Sequence, residues 1–569
     1  MWLPTWPYTR GRRTLLGAAA LHLAAPLRAQ HEGHGASGAH GAGGRDTVAV
    51  RLAASARLGE LAFPNSGAPA AQASFLQGVA LLHNFEYDGA AEAFRIAQRV
   101  DPGFALPYWL EAFSHSHIMW GYESLAESRA ALARLGPTPA ARLAKAPTPR
   151  ERTFGAAVEA LYAEGTLAQR SRAFADSMRR AAEAFPDDPE AQVFAAIAAM
   201  TAVQGGGAGG PVEREALMRD AAERAGRVFA AQPHHPGAAH FVIHANDDPV
   251  HASRALTAAR AYAQIAPASE HAQHMPSHIF VQLGYWDEAA AANVRAWNAS
   301  RTEVRERAQT PASLSWHTLT WLEYAFLQQG RRRDARALLD SARGFLREIP
   351  GGDGFSDARA ALPMMEYLYA SNTGDWRVWS GRMPATPPTA AMQPREAGLV
   401  RSNLYFTGLA ALQRGDVARA DSMAALLRAR PVRSATARIP AAQLEALALA
   451  RRGQRDSAIA RLAALAAVHD SAPPIGPPYV VPTAELLGDL LLQANRPADA
   501  ATAYERALRM CPSRAVSLLG LARARWKAAD PAGSAKAYRE LLAIWDEADH
   551  DLAELAEARG GAKLGANDE

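Results

Sequence analysis

The chain has 569 residues, with a formal net charge of +4, 49% hydrophobic and 21% charged residues. So small a charge over that length excludes the electrostatic footprint of a nucleic-acid binder, and the apolar fraction excludes a chain disordered throughout. The single cysteine, Cys511, excludes an intrachain disulfide and a cysteine-built zinc site, so any transition-metal site must use histidine and carboxylate.

Residues 1–30 read as an export signal. Arg12 and Arg13 precede an apolar run that ends near Leu27, and Leu27-Arg28-Ala29 offers a small-residue cleavage site. GRRTLL is similar to a twin-arginine signal, which carries folded proteins across a membrane; the alternative is a general secretory signal. Both imply a periplasmic or secreted protein. The run is too short to span a bilayer, and no later stretch is long and apolar enough. Residues 31–60 read as a disordered His/Gly-rich tether carrying His31, His34 and His40.

Helical periodicity begins near residue 61. FLQGVALLHNFEYDGAAEAFRIAQRVDP, residues 75–102, places Gly78, Tyr87, Ala90, Phe94, Ala97 and Pro102 where two close-packed antiparallel helices need small, large and closing residues in turn. Further units follow up to residue 346, interrupted by the proline-rich stretch 136–151, read as a loop, and by QGGGAGG at 204–210. Residues 347–397, rich in Gly, Pro and Met, read as a linker between an N-terminal block, 61–346, and a C-terminal block, 398–569. In the second block AELLGDLLLQANRPADAATAYERALRMCP repeats the pattern at Gly488, Ala500, Tyr504, Ala507 and Pro512.

These segments resemble the tetratricopeptide-repeat family, and more narrowly an exported bacterial subset of it with repeated histidine motifs. The resemblance implies an all-α superhelix of antiparallel helix pairs, here in two blocks, with a concave groove that holds a peptide or protein partner. It carries no assigned activity, and fold alone assigns none.

The histidine-dense stretch 234–284 stands out against that pattern. His240 and His244 are four apart, as are His274 and His278, and each member of one pair lies 34 positions from its counterpart. Thirty-four is the repeat period, so the pairs should stack on neighbouring helices and share one face. Counted from each closing proline, His271 and His317 fall on the same groove-facing positions, and Asp247 and Asp248 extend the stripe. Neutral imidazoles suit zinc or copper. The expected site is therefore one ion held by three or four of His240, His244, His274 and His278, flanked by His271 and His317, with Asp247 or Asp248 added. Loss of binding is expected below about pH 6, where free imidazole protonates. The default expectation is a binding scaffold for a peptide or protein. The alternative is a metal-dependent enzyme, hydrolase or oxidoreductase, with Glu270 or Asp248 as base; no nucleophile motif or oxyanion hole supports it. Pro276 interrupts the second histidine helix, and a helix starting only at Ser277 would leave His274 on a loop.

Overall fold

The computed structural model describes residues 57–120, 122–349, 357–381, 394–429, 436–471 and 474–564. Among these the regular structure is helical, with no strand, and successive helices run as antiparallel pairs: Pro69–His83 with Tyr87–Val100, Pro149–Leu161 with Leu167–Ala184, Pro189–Gln204 with Pro211–Ala231, and so on to Pro531–Ile544. The architecture is an all-α superhelix of stacked antiparallel helix pairs, as the repeat pattern predicts. The small-to-large pairing expected from sequence is what closes each unit. A Cβ on Gly78 would stand 2.5 Å from the Phe94 ring, and one on Gly488 would stand 2.8 Å from Tyr504.

The turn between paired helices recurs with one geometry. A residue of positive φ follows the first helix, and the next amide bonds back to the carbonyl five residues earlier, as Arg331 does to Phe326 and Gln454 to Leu449. Gly330, Gly415 and Gly453 hold that position in three turns. In the first turn it is Phe85, at φ 59°, where an L residue costs roughly 1–2 kcal/mol.

The superhelix is wound tightly enough to fill its own interior. The Phe63 ring meets Phe75, Phe154 and Phe194 edge-on at 5.3, 5.3 and 6.2 Å, joining three helix pairs at one point. Helix Pro69–His83 returns against Pro236–Ala245, and the Tyr262 hydroxyl donates to Asn84 Oδ1 at 2.7 Å. Residues 57–60, the last part of the stretch read as tether, are ordered here. The Glu60 amide donates to the His234 carbonyl, and the Arg57 carbonyl accepts from Ala268, so the strand of chain crosses the start of both histidine helices. The export signal at 1–30 and the tether histidines His31, His34 and His40 lie outside the described residues.

Two further readings change. The stretch 136–151 holds a short helix, Pro139–Leu143, and Pro149 already begins the next one, closed by a Thr148/Glu151 capping box. The stretch 347–397 contains the helix Asp357–Thr373, and Tyr367 stacks on Phe406 at 4.0 Å. One apolar core runs from Phe63 to Val481 through this helix, and a second cluster begins only at Ala446. The C-terminal pairs also curl back: Trp286 Nε1 donates to the Ser513 carbonyl and Trp545 Nε1 to that of Gln328.

Candidate metal centre

Local sequence sets the two histidine helices. His235 is the N-cap of Pro236–Ala245, its Nδ1 accepting from the Ala238 amide, and Pro236 occupies the first turn where no donor is lost. Ser269 caps Glu270–His274 in the same way. Pro276, lacking an N–H, breaks the hydrogen-bond ladder, yet Met275 keeps right-handed helical angles and Pro276–Leu283 continues. His274 therefore remains on helix, one turn before His278, and the stacking expected from the 34-residue offset holds.

The grouping differs from the expected one. Instead of a single site from two i, i+4 pairs, two triads form: His240, His244 and His271, and His274, His278 and His317. Within each triad one ring nitrogen per residue lies within 4.8 Å of the others. His271 and His317, expected as flanking residues, complete the triads. The triads abut, with ring centroids 6.1 Å apart for His244 and His278 and 6.4 Å for His271 and His274.

Hydrogen bonds behind the rings determine which nitrogens face inward. His240 Nδ1 donates to the His83 carbonyl at 2.6 Å. His274 Nδ1 donates to Asn293 Oδ1 at 2.7 Å, and the Asn293 amide is itself fixed on the Ala289 carbonyl. His278 Nδ1 donates to Asp247 Oδ2 at 2.6 Å. In their neutral forms all three rings then carry the lone pair on Nε2. Yet Nε2 of His274 and Nε2 of His278 lie 3.2 Å apart. Two lone pairs at that distance repel unless a cation, proton or metal, sits with them. In the first triad His240 Nε2 lies 3.1 Å from His271 Nε2, and the buried His244 Nε2 has no hydrogen-bond partner. Burial pushes His240, His271 and His274 well below the usual imidazole range and His244 down to about 3, with neighbouring imidazoles adding to the effect. Burial alone would raise the Asp247 carboxyl, but the charge and hydrogen bond of His278 hold it low.

Aromatic walls close the centre. Phe85 sits 4.4 Å from His240 and 5.4 Å from both His244 and His271, so the strained turn residue is the one that faces the first triad. Trp321 stacks on His278 at 4.2 Å and meets His274 edge-on at 5.2 Å. Neither wall was legible as a site residue. His240 and His274 are at most 1% exposed and His278 is buried, whereas His244 and His271 are half-buried and His317 is exposed, so the face is packed around the first three and open at His317.

The two acidic residues part company. Asp247 supports His278 and accepts from Gln282 at 3.2 Å. Asp248, placed in the ligand set from sequence, turns the other way: its carboxylate accepts from the Val250 and His251 amides and from His251 Nδ1. The chain turns sharply after Asn246, so consecutive residues face opposite sides. Glu270 is half-buried and accepts from the Thr318 hydroxyl, and desolvation pushes it up to about 7.

A third cluster, His83, Glu190 and His235, was not legible as a unit. Its chemistry is the reverse of the triads. His235 Nδ1 accepts the Ala238 amide, which leaves Nε2 protonated and aimed at Glu190 Oε1, 3.3 Å away. His83 Nε2 meets Glu190 Oε2 at 2.8 Å. Burial would raise Glu190, but its two histidine neighbours hold it at about 2. The cluster is a buried clamp that positions His83, whose carbonyl aims His240, through the His83–Glu190 hydrogen bond; Glu190 Oε1 and His235 Nε2 lie close without hydrogen-bond geometry.

No family model and no curated protein matches the chain. Among solved structures, it is similar to a tetratricopeptide repeat protein from Parabacteroides merdae ATCC 43184, at 14% identity and TM-score 0.29, over 52% of this chain and 98% of that one. It is also similar to the APC/C hetero-tetramer Cut9-Hcn1, at 12% identity and TM-score 0.34, over 81% and 78%. The P58(IPK) TPR domain aligns at 11% identity and TM-score 0.21, over 81% and 98%.

Proposed function

We propose that this helical-repeat scaffold is a metal-binding protein whose two histidine triads hold two transition-metal ions, copper or zinc, side by side. The observation that carries the reading is the His274–His278 pair: both Nδ1 atoms are committed as donors, and the two Nε2 atoms face each other at 3.2 Å. A metal ion satisfies both at once, and carboxylate or amide support behind a ligating imidazole is the usual arrangement at such sites. Three imidazoles leave a zinc or copper ion one open position, as in catalytic rather than purely structural sites. The abutting triads would suit a two-metal centre. A scaffold of this type is suited to protein interaction. A peptide lying over His240, His274 and His278 has little room, because those rings are buried beside Phe85, Tyr262 and Trp321, whereas His317 is exposed.

The test is elemental analysis of untagged full-length protein in which His31, His34 and His40 are replaced by alanine. Two ions per chain are expected, and Glu190→Gln should leave that number unchanged while lowering stability by about 1–3 kcal/mol in denaturant titration. Metal that disappears with the three tether substitutions alone ends the reading. A third ion, lost in Glu190→Gln, would show that the clamp ligates too.

We propose further that the protein is exported. Residues 1–30 fused to a reporter should direct export, and Arg12→Lys with Arg13→Lys should abolish it if the twin-arginine route operates. Export that survives the double change identifies a general secretory signal, and a reporter retained in the cytoplasm defeats the proposal.

A further inference from the structure

Next to the second triad lies a cavity of about 400 Å³. Its walls come from helices Trp316–Gln328, Asp357–Thr373 and Pro394–Gln413, and its rim from residues 475–479. Trp316, Trp321, Met364 and Phe406 give it flat apolar sides, and Ile475 and Tyr479, at 57% and 54% exposed, stand at the mouth. Two residues belong to both cavity and metal centre. His317 is a member of the second triad and lines the cavity, and Trp321 stacks on His278 with the cavity beside it.

The rim is a fixed structure. Gln282 Nε2 donates to the Pro474 carbonyl at 3.0 Å from the histidine helix itself, and Gln443 Nε2 holds the Val481 carbonyl at 2.8 Å. Between these anchors Gly476, at φ 81°, lies flat against Trp321; a Cβ there would meet the indole at 2.1 Å. The C-terminal repeats thus supply the outer wall of a cavity whose inner wall includes His317 of the second triad.

A space of this size falls within the range that small-molecule sites occupy, and flat indole and phenyl walls favour a flat ring between them. At its inner end such a ring meets His317 of the second triad, whose three imidazoles would leave a bound ion one open position. The oxygen of a phenol is a good ligand for copper or zinc once its proton has left. We propose that the cavity binds a small phenolic molecule, a phenol or catechol, whose ring lies between the aromatic walls and whose oxygen coordinates the ion of the second triad, its proton released to solvent. This rests on the metal reading above.

The probe is 4-nitrocatechol, whose visible spectrum shifts on coordination, titrated into full-length protein of measured metal content. The cavity is blocked by Gly398→Phe. Gly398 lines it, and a Cβ there meets nothing within 4 Å, so the new ring enters the cavity without displacing the helix. We expect a spectral shift in the metal-loaded protein, at least tenfold weaker binding in Gly398→Phe at unchanged metal content, and at least tenfold weaker binding of nitrobenzene, which has the ring without the ligating hydroxyls. Equal binding of 4-nitrocatechol to metal-free and loaded protein, or undiminished binding in Gly398→Phe with its metal intact, overturns the cavity proposal and leaves the metal centre standing. If Gly398→Phe lowers metal content, Met364→Trp provides the same block from the facing helix and the same two outcomes decide. A wild-type protein that takes up no metal defeats the earlier reading, and this one with it.

Discussion

His278→Ala should lower metal affinity at least 100-fold, measured by competition with a chromophoric chelator, and should cost the second ion selectively. The residue does three things at once. Its Nε2 faces His274 at 3.2 Å, its Nδ1 is held by Asp247, and its ring is stacked under Trp321. Removing it takes one of three ligands from the triad and leaves the Asp247 carboxylate, buried and held low by that very imidazole, without its main partner. Asp247→Ala should cost less, about 10–100-fold, since the ligand survives but its tautomer and aim are no longer fixed. Asp248→Ala should leave affinity unchanged, because that carboxylate serves the turn at Val250 and His251. The ordering His278 over Asp247 over Asp248 is the sharpest part of the expectation. Equal losses at Asp247 and Asp248 would mean that the turn, rather than the ligand set, controls binding.

That ordering also marks how far the site could be read from sequence. The 34-residue offset placed four histidines on one face correctly, because stacked repeats put equivalent positions side by side. Gly78 with Phe94 and Gly488 with Tyr504 were legible for the same reason: the pattern is local and periodic. The partition into triads was not legible. It depends on His271 reaching across to His240 and His317 reaching back to His274, contacts set by the superhelical pitch and by the break at Pro276. Asp247 and Asp248 are neighbours in sequence with opposite roles, decided by a turn just beyond the helix end. The clamp of His83, Glu190 and His235 joins His83 to two residues more than a hundred positions away through the winding of the array, and no period announces it. Phe85 hid in plain view: its αL turn position is one that glycine or asparagine usually fills, and a large aromatic there signalled a ring with work elsewhere.

Glu485→Ala should destabilise the protein by about 3–5 kcal/mol, the usual cost of stranding one member of a buried ion pair. Arg514 and Glu485 form a two-pronged bridge, Nε to Oε2 at 2.7 Å and Nη2 to Oε1 at 3.0 Å, and both side chains are at most 3% exposed. The guanidinium also reaches Tyr324 and Asn372, while the amide of Ala515 donates to Gln328, so the pair sits where the C-terminal repeats close back on the helices that carry His317 and the cavity wall. Alanine would leave a guanidinium buried with only neutral partners. In calorimetry the loss should appear as a fall of roughly 10 °C in the transition of the C-terminal repeats, given about 2–4 °C per kcal/mol for a unit of that size. Replacing both residues by methionine should recover much of the loss, because the double change removes the stranded charge and keeps most of the buried volume. If Glu485→Ala and the double variant melt alike, what was lost is packing between the two faces, and the ion pair contributes only shape.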